Sequence, residues 1–455
     1  MKVKGLVFAV LMTLGTVACA PVSSAPRTGN VIFIHPDGTS PSHWGAARFL
    51  NYGPDGRLNW DRMSNLAVYL GHMKNQLTAT SNAGAVTHAT GVKVHADSFG
   101  LDEAGKPVVA LSGKTQTIMQ EAIAQGLATA VINSGIISEP GTGAFLAKAA
   151  SRSDHAEITK QIVESGVDVI LGGGEVWYLP KGTAGRHAKA QQSQRQDGVN
   201  LIELAKSKGY TIVYTRKELL NLPADTQKVL GIFAAEDTYN DESEEKLKQQ
   251  KLPLYVAGSP TNSEMLQATL QVLSRKPKSF FIVLEEEGTD NFSNFNNAKG
   301  CVEAMKRADD AVGVAMNFIA QNSNTLLLTA ADSDASGMEV IGEQVSDMPM
   351  DKPLPASDRN GSPLDGRDGT GTLPFISAPD ASNQRFPFAI AWTGFPDNAG
   401  SIVAKSHGLN ASMLHGTVDN TEIYRLMYTT LFGTTPSRSN TSWLKGKVLW
   451  AIKRT

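Results

Sequence analysis

Residues 263–287 read SEMLQATLQVLSRKPKSFFIVLEEE. SEMLQATLQVLSRK (263–276) has the pattern of a helix. FFIVL (280–284) is short, apolar and partly β-branched, which suits a buried strand better than a helix. Three glutamates, Glu285, Glu286 and Glu287, follow where that strand must end. The same alternation recurs along the chain. VIFI (31–34), TAVI (129–132), VDVIL (167–171), TLLLT (325–329) and PFAIAW (387–392) read as further buried strands, and SRSDHAEITKQIVESG (151–166) as a further helix. Strands alternating with helices predict an α/β fold, a central and mostly parallel sheet with helices on both faces.

In open α/β sheets, ligands bind at the carboxyl ends of the strands. VIFI is followed by His35-Pro36-Asp37-Gly38, and FFIVL by the glutamates and then Asp290 and Asn294. TLLLT is followed by Asp332, Ser333 and Asp334, and PFAIAW by Asp397. One acidic ending is an ordinary turn. Several gathered at one edge would repel, and would stay ionised only with cations among them. The residues therefore predict a metal site of oxygen ligands. The stretch TSNAGAVTHATGVK (80–93) adds small residues with a Thr and a Ser at the head of a helix. Free N–H groups and the positive end of the helix dipole suit an anion there. On its own, Thr80-Ser81 reads only as an N-cap. Close packing beneath a metal cluster would account for the small side chains.

The chain has 455 residues, 41% of them hydrophobic, and a formal charge of −2. That balance gives no basic surface for nucleic acid. Residues 1–26, MKVKGLVFAVLMTLGTVACAPVSSAP, read as a secretory signal peptide: Lys2 and Lys4 precede an apolar run too short to cross a bilayer comfortably. Its end has two readings, simple cleavage or lipidation of Cys19 as in a bacterial lipoprotein. The expected location is the periplasm or the outer membrane, with secretion as the alternative. Cys301 stands alone in the mature chain within a helical pattern and reads as a small buried residue, so disulfides are not the framework. Residues 27–455 read as one domain, with 342–386, rich in Pro, Gly, Asp and Ser, as a long surface insertion. The charged run EDTYNDESEEKLKQQK (236–251) reads as a solvated face.

Taken in order, NVIFIHPDGTSPSHWGAARF (30–49), ATSNAGAVTHATGVK (79–93), VDVILGGG (167–174), LGIFAAED (230–237) and the run 263–287 resemble the alkaline phosphatase family. The resemblance implies that family's α/β sandwich and a metal-dependent hydrolysis of small phosphate monoesters. Inorganic phosphate would be released through a phosphoserine intermediate, and a homodimer is a common assembly. Carried over by position, Ser81 falls on the nucleophile, with Thr80 where many members have Asp. Arg152 falls on the arginine that forks onto phosphate oxygens, a task suited to its planar donors. Asp37 falls on the bridge between two metals. Glu139 and Glu285 fall on the magnesium-type site. Gly141 stands where that site has a Thr, which leaves the adjacent Thr142 as a substitute. Asp290 and Asp332 keep the aspartates of the two zinc sites.

The chain departs from the family at three zinc-site histidines, where Asn294, Ser333 and Asp397 stand instead. Its 9 histidines include none between His187 and His407, so no shift of register restores the set. Zinc favours Cys and His. A site of Asp, Glu, Asn, Ser and Thr favours Mg2+ or Ca2+, with Mn2+ as a third candidate. The expected centre is thus rebuilt for hard cations, with zinc disfavoured. His35 reads as core packing, or else as a residue behind the ligands. The rival functions are a phosphodiesterase or sulfatase of the wider superfamily, and an inactive phosphate-binding relative.

Overall fold

The computed structural model describes residues 26–343 and 347–437. Nearly all of the leader, Cys19 included, lies outside the described residues. The first eight strands are β1 (Asn30–Pro36), β2 (Asn65–Leu70), β3 (Ala128–Ile136), β4 (Val169–Gly173), β5 (Thr211–Val213), β6 (Val229–Ile232), β7 (Phe280–Glu286) and β8 (Thr325–Thr329). Next come five short ones: β9 (Glu339–Ile341), β10 (Leu364–Gly366), β11 (Gly369–Thr370), β12 (Phe375–Ile376) and β13 (Pro387–Ala391). β14 (Ile402–Gly408) and β15 (Gly416–Asp419) complete the set.

β1–β8, β14 and β15 form a 10-stranded sheet in the order β15-β2-β14-β8-β1-β7-β3-β4-β6-β5. Every neighbour pair is parallel except those of β14, which runs antiparallel to β2 and β8. Successive residues of β1 enter opposite cores: Val31 and Phe33 pack on one side, Ile32 and Ile34 on the other. β7 does the same with Phe281 and Val283 against Phe280, Ile282 and Leu284. Burial on both faces explains why these strands read as continuous apolar runs. The expected mostly parallel sheet with helices on both faces is therefore what forms.

One expectation is corrected. PFAIAW is a strand, but β13 belongs to a second, antiparallel sheet with β9–β12 rather than to the central one. An apolar run reveals burial and not the sheet that buries it. The segment 342–386 contributes β10–β12 to that second sheet. Its Met348, Leu354 and Leu364 pack with Ala389 and Ala391 into a small core of their own. Trp392 Nε1 donates to Asp365 Oδ2 at 2.6 Å, which ties the insertion to the strand end. Of the charged run 236–251, only the second half forms the helix Glu244–Gln250 with a solvated face; Thr238, Tyr239, Glu244 and Leu247 are buried, so the expected solvated face holds only in part. Cys301 is fully buried in the helix Ala298–Gln321, as its pattern indicates. No helix among the described residues is long and apolar enough to cross a membrane.

Candidate metal centre

Register sets the centre. β7 lies between β1 and β3, and their pairing places His35 and Asn133 on either side of Glu285. Asn133 Nδ2 donates to Glu285 Oε2, and Thr142 Oγ1 lies 3.5 Å from the same oxygen. A Cβ at position 141 would fall 1.9 Å from Glu285 Oε1. Glu285 thus occupies the room a side chain at 141 would need, which accounts for Gly141 there and Thr142 beside it. After β1, Asp37 is fully buried. Its Oδ1 accepts from Gly38 N–H at 3.0 Å and lies 3.1 Å from His35 Nε2. Gly38 has φ 63°, and a Cβ there would lie 2.5 Å from Asp290 Oδ1. Only glycine permits both that backbone and that approach.

β7 continues into the helix Gly288–Asn294, which carries Asp290 in its first turn and Asn294 one turn later on the same face. Asn294 turns its amide nitrogen toward the carboxylates, donating to Asp290 Oδ2 at 2.8 Å and reaching Asp397 Oδ1 at 3.5 Å. Its carbonyl oxygen faces the Ser336 hydroxyl instead. Asn294 was expected as an oxygen ligand; here it bridges two carboxylates as a donor. Ser333 Oγ lies 3.4 Å from Asp332 Oδ1 and also adjoins Asp397.

Ser81 opens the helix Ser81–Thr90, and Thr80 is its N-cap. Thr80 Oγ1 accepts from Ala83 N–H at 3.3 Å and donates to Ala96 O at 2.5 Å, so it is engaged. The Ser81 hydroxyl lies beside Asp37 and favours its ionised form. A Cβ at Gly84 would come within 2.4 Å of Asp332 Cβ, so small residues here do pack beneath the cluster. Arg152 Nη2 donates to Glu139 Oε2 at 2.9 Å. The Glu139 carboxylate, paired with Arg152, lies near enough for its charge to raise Glu285 and Glu287, but it is not in either tight ligand cluster among the described residues.

Those clusters are His35–Asp37–Glu285 and Asp37–Glu287–Asp290, each with its ligand atoms within 4.8 Å of one another. Asp37 Oδ2, Glu285 Oε1, Glu286 Oε1, Glu287 Oε2, Asp290 Oδ1 and Asp332 Oδ2 are shielded from solvent without a hydrogen-bond partner. Orphaned buried carboxylate oxygens are costly unless a cation partners them. Burial, reinforced by neighbouring carboxylates, pushes Glu285 up to about 8 and holds Glu287, Asp290 and Asp332 well above the carboxylate range. Burial alone pushes Glu286 up to about 7, its neighbours acting the other way. Burial also raises Asp37, but the hydrogen bond and charge of His35 outweigh it and hold it ionised. The donor set fits divalent cations, with oxygen ligands predominating.

The sequence profile of the alkaline phosphatase family matches residues 28–364. The chain belongs to the alkaline phosphatase family. The tissue-nonspecific alkaline phosphatase of Rattus norvegicus is 24% identical over 338 residues, 67% of this chain and 63% of that one. The chain thus spans less than two thirds of that relative's length. The alkaline phosphatase of Escherichia coli (strain K12) is 26% identical over 335 residues, 67% of this chain and 69% of that one. The structure of the alkaline phosphatase from the Antarctic bacterium TAB5 superposes with a TM-score of 0.68 at 19% identity, covering 90% of this chain and 100% of that one. Alkaline phosphatase membership supports hydrolase chemistry, and the superposition establishes the fold. Within this fold, Glu287 is the strand-end acid that the sequence named but did not single out, and its clustering with Asp37 and Asp290 does so. Its signal was the two-residue spacing from Glu285 in a strand-end run of acids.

Proposed function

We propose that the chain hydrolyses phosphate monoesters at a divalent-metal centre, with Ser81 as nucleophile. The observation that carries this reading is the placement of Ser81 at a helix N-terminus beside Asp37, within a ring of buried carboxylates whose oxygens lack partners. Asp37, Glu285, Glu287, Asp290, Asp332 and Asp397 would hold the cations, with Thr142, Ser333, Asn294 and Glu139 around them. Mg2+ or Ca2+ suits this set, with Mn2+ as a third candidate and zinc disfavoured. A variant of the TAB5 enzyme was solved with magnesium bound in its M3 site. When bound, the cations would supply Lewis acidity toward the phosphoryl oxygens and lower the pKa of hydroxyl groups. Ser81 Oγ would attack phosphorus as the bond to the ester oxygen breaks, and water would then cleave the Ser81–phosphate bond. Arg152 would leave Glu139 to fork onto two phosphoryl oxygens. The helix N-terminus adds backbone N–H groups facing the same charge.

The proposal extends to location and assembly. The leader at 1–26 supports export to the periplasm, Cys19 is a candidate anchor to the outer membrane, and a homodimer is the candidate assembly. The decisive assay sets nitrophenyl phosphate beside its diester and its sulfate, each with Mg2+, Ca2+, Mn2+ and Zn2+. Preferred turnover of the monoester with a hard cation is expected. A preference for diester or sulfate, or inactivity with all four ions, overturns the reading.

A further inference from the structure

We infer that His35 Nε2 is itself a metal ligand, so that Asp37 joins a mixed nitrogen–oxygen subsite, His35–Asp37–Glu285, to an all-oxygen subsite, Asp37–Glu287–Asp290. The inference deepens the proposed metal centre and rests on reading these carboxylates as a cation site. It does not depend on which ester is cleaved.

Three observations carry it. The β1–β7 register places His35 directly opposite Glu285, both buried at the strand ends. His35 Nδ1 lies 2.7 Å from the carbonyl of Ala330, which can only accept. Nδ1 therefore carries a proton, which leaves Nε2, 3.1 Å from Asp37 Oδ1, as the ring nitrogen that faces the cluster and that a bound cation would engage in place of a proton. A ligating imidazole is typically held in this way, with its far N–H on a backbone carbonyl. Finally, Asp37 Oδ2 and Glu285 Oε1 are buried without partners, and the ligand atoms of the three residues lie within 4.8 Å of one another. Ligands on one ion, each roughly 2.0–2.5 Å from it, lie up to about 4–5 Å apart, so this spread fits a single ion.

The chemistry of the two subsites then differs. An imidazole nitrogen with two carboxylates favours a borderline transition ion such as Mn2+ or Zn2+ over Mg2+ or Ca2+. Three carboxylates favour a hard ion. The expectation of a purely oxygen-lined, hard-metal centre is thereby narrowed to one half of it. The family's histidines are lost at Asn294, Ser333 and Asp397, and one histidine is supplied from β1 instead.

The test uses the full chain saturated with Mn2+. Electron spin-echo spectroscopy detects the nitrogen of a directly bound imidazole as 14N modulation, and equilibrium dialysis reads the ions bound. Wild type is expected to show the modulation. His35→Gln should lose it and bind the affected Mn2+ at least about tenfold more weakly, whereas Glu287→Gln should keep it. Mn2+ bound to wild type without 14N modulation overturns the role of His35 while leaving a cation centre standing, whether or not His35→Gln folds. Failure of wild type to bind Mn2+, Mg2+ or Ca2+ overturns both. Retention of the modulation in His35→Gln also overturns the assignment.

Discussion

Thr80 and Ser81 are adjacent hydroxyls with different obligations. Thr80 is spent on the cap and on Ala96, whereas Ser81 adjoins Asp37. Ser81→Ala should therefore reduce monoester turnover by about a thousandfold or more while phosphate binding persists. Thr80→Ala should instead cost on the order of 1 kcal/mol of stability and keep substantial turnover. Parallel kinetics and thermal melts of both variants separate the two roles, and near-normal turnover in Ser81→Ala would remove it as nucleophile. Arg152→Ala should lower kcat/KM by about a hundredfold, with little rescue by Arg152→Lys, because an ammonium cannot fork. Steady-state kinetics of the two variants check this. At this scale the strand-end acids Asp37, Glu285, Asp290 and Asp332 were legible, because each follows an unmistakable apolar run. Glu287 was not singled out, since its two-residue spacing from Glu285 is masked by the acid between them. His35 reads equally as packing in the sequence, since only the structure shows its Nδ1 on the Ala330 carbonyl and its Nε2 facing Asp37.

The central strands were legible to within a residue or two for the same physical reason that they are stable, namely that both faces are buried. The second sheet was not, because its strands are two to five residues long and sit among turn formers. One device there is testable. Glu244, in the helix Glu244–Gln250, accepts from Lys299 N–H at 3.0 Å, and its Oε2 is buried without a partner. Burial, then the nearby Asp365, pushes Glu244 up to about 8. The folded state thus holds a proton that the unfolded chain releases near pH 4.5. The stability this gives is complete at lower pH and is lost as pH rises through about 8. Glu244→Gln keeps the acceptor and cannot ionise. The variant should therefore gain on wild type as pH rises from 5 to 9, by on the order of 2 kcal/mol. Denaturant melts across that range check it, and a pH-independent difference would refute it.

For the molecule as a whole, the buried carboxylates couple stability to ion content. Glu285 is raised to about 8 and Glu286 to about 7. Ion-free protein should keep this part of its stability at pH 5 and lose it as pH rises through 7 and 8. Chelation should therefore lower the melting temperature more at pH 9 than at pH 6, and Mg2+, Ca2+ or Mn2+ should restore it. Calorimetry with and without chelator measures both. The topology has another consequence, one of timing. β1 is held between β7 and β8, and its contacts to them span 250 and 295 residues of chain. Asp37 is therefore synthesised long before Glu285, Asp290 or Asp332 can reach it, and no half-made chain can assemble the cluster. Any ion the cluster holds would be selected only once the last strands close. The free-ion composition around the chain at that moment, as in a refolding buffer, would become in effect part of the protein's specification.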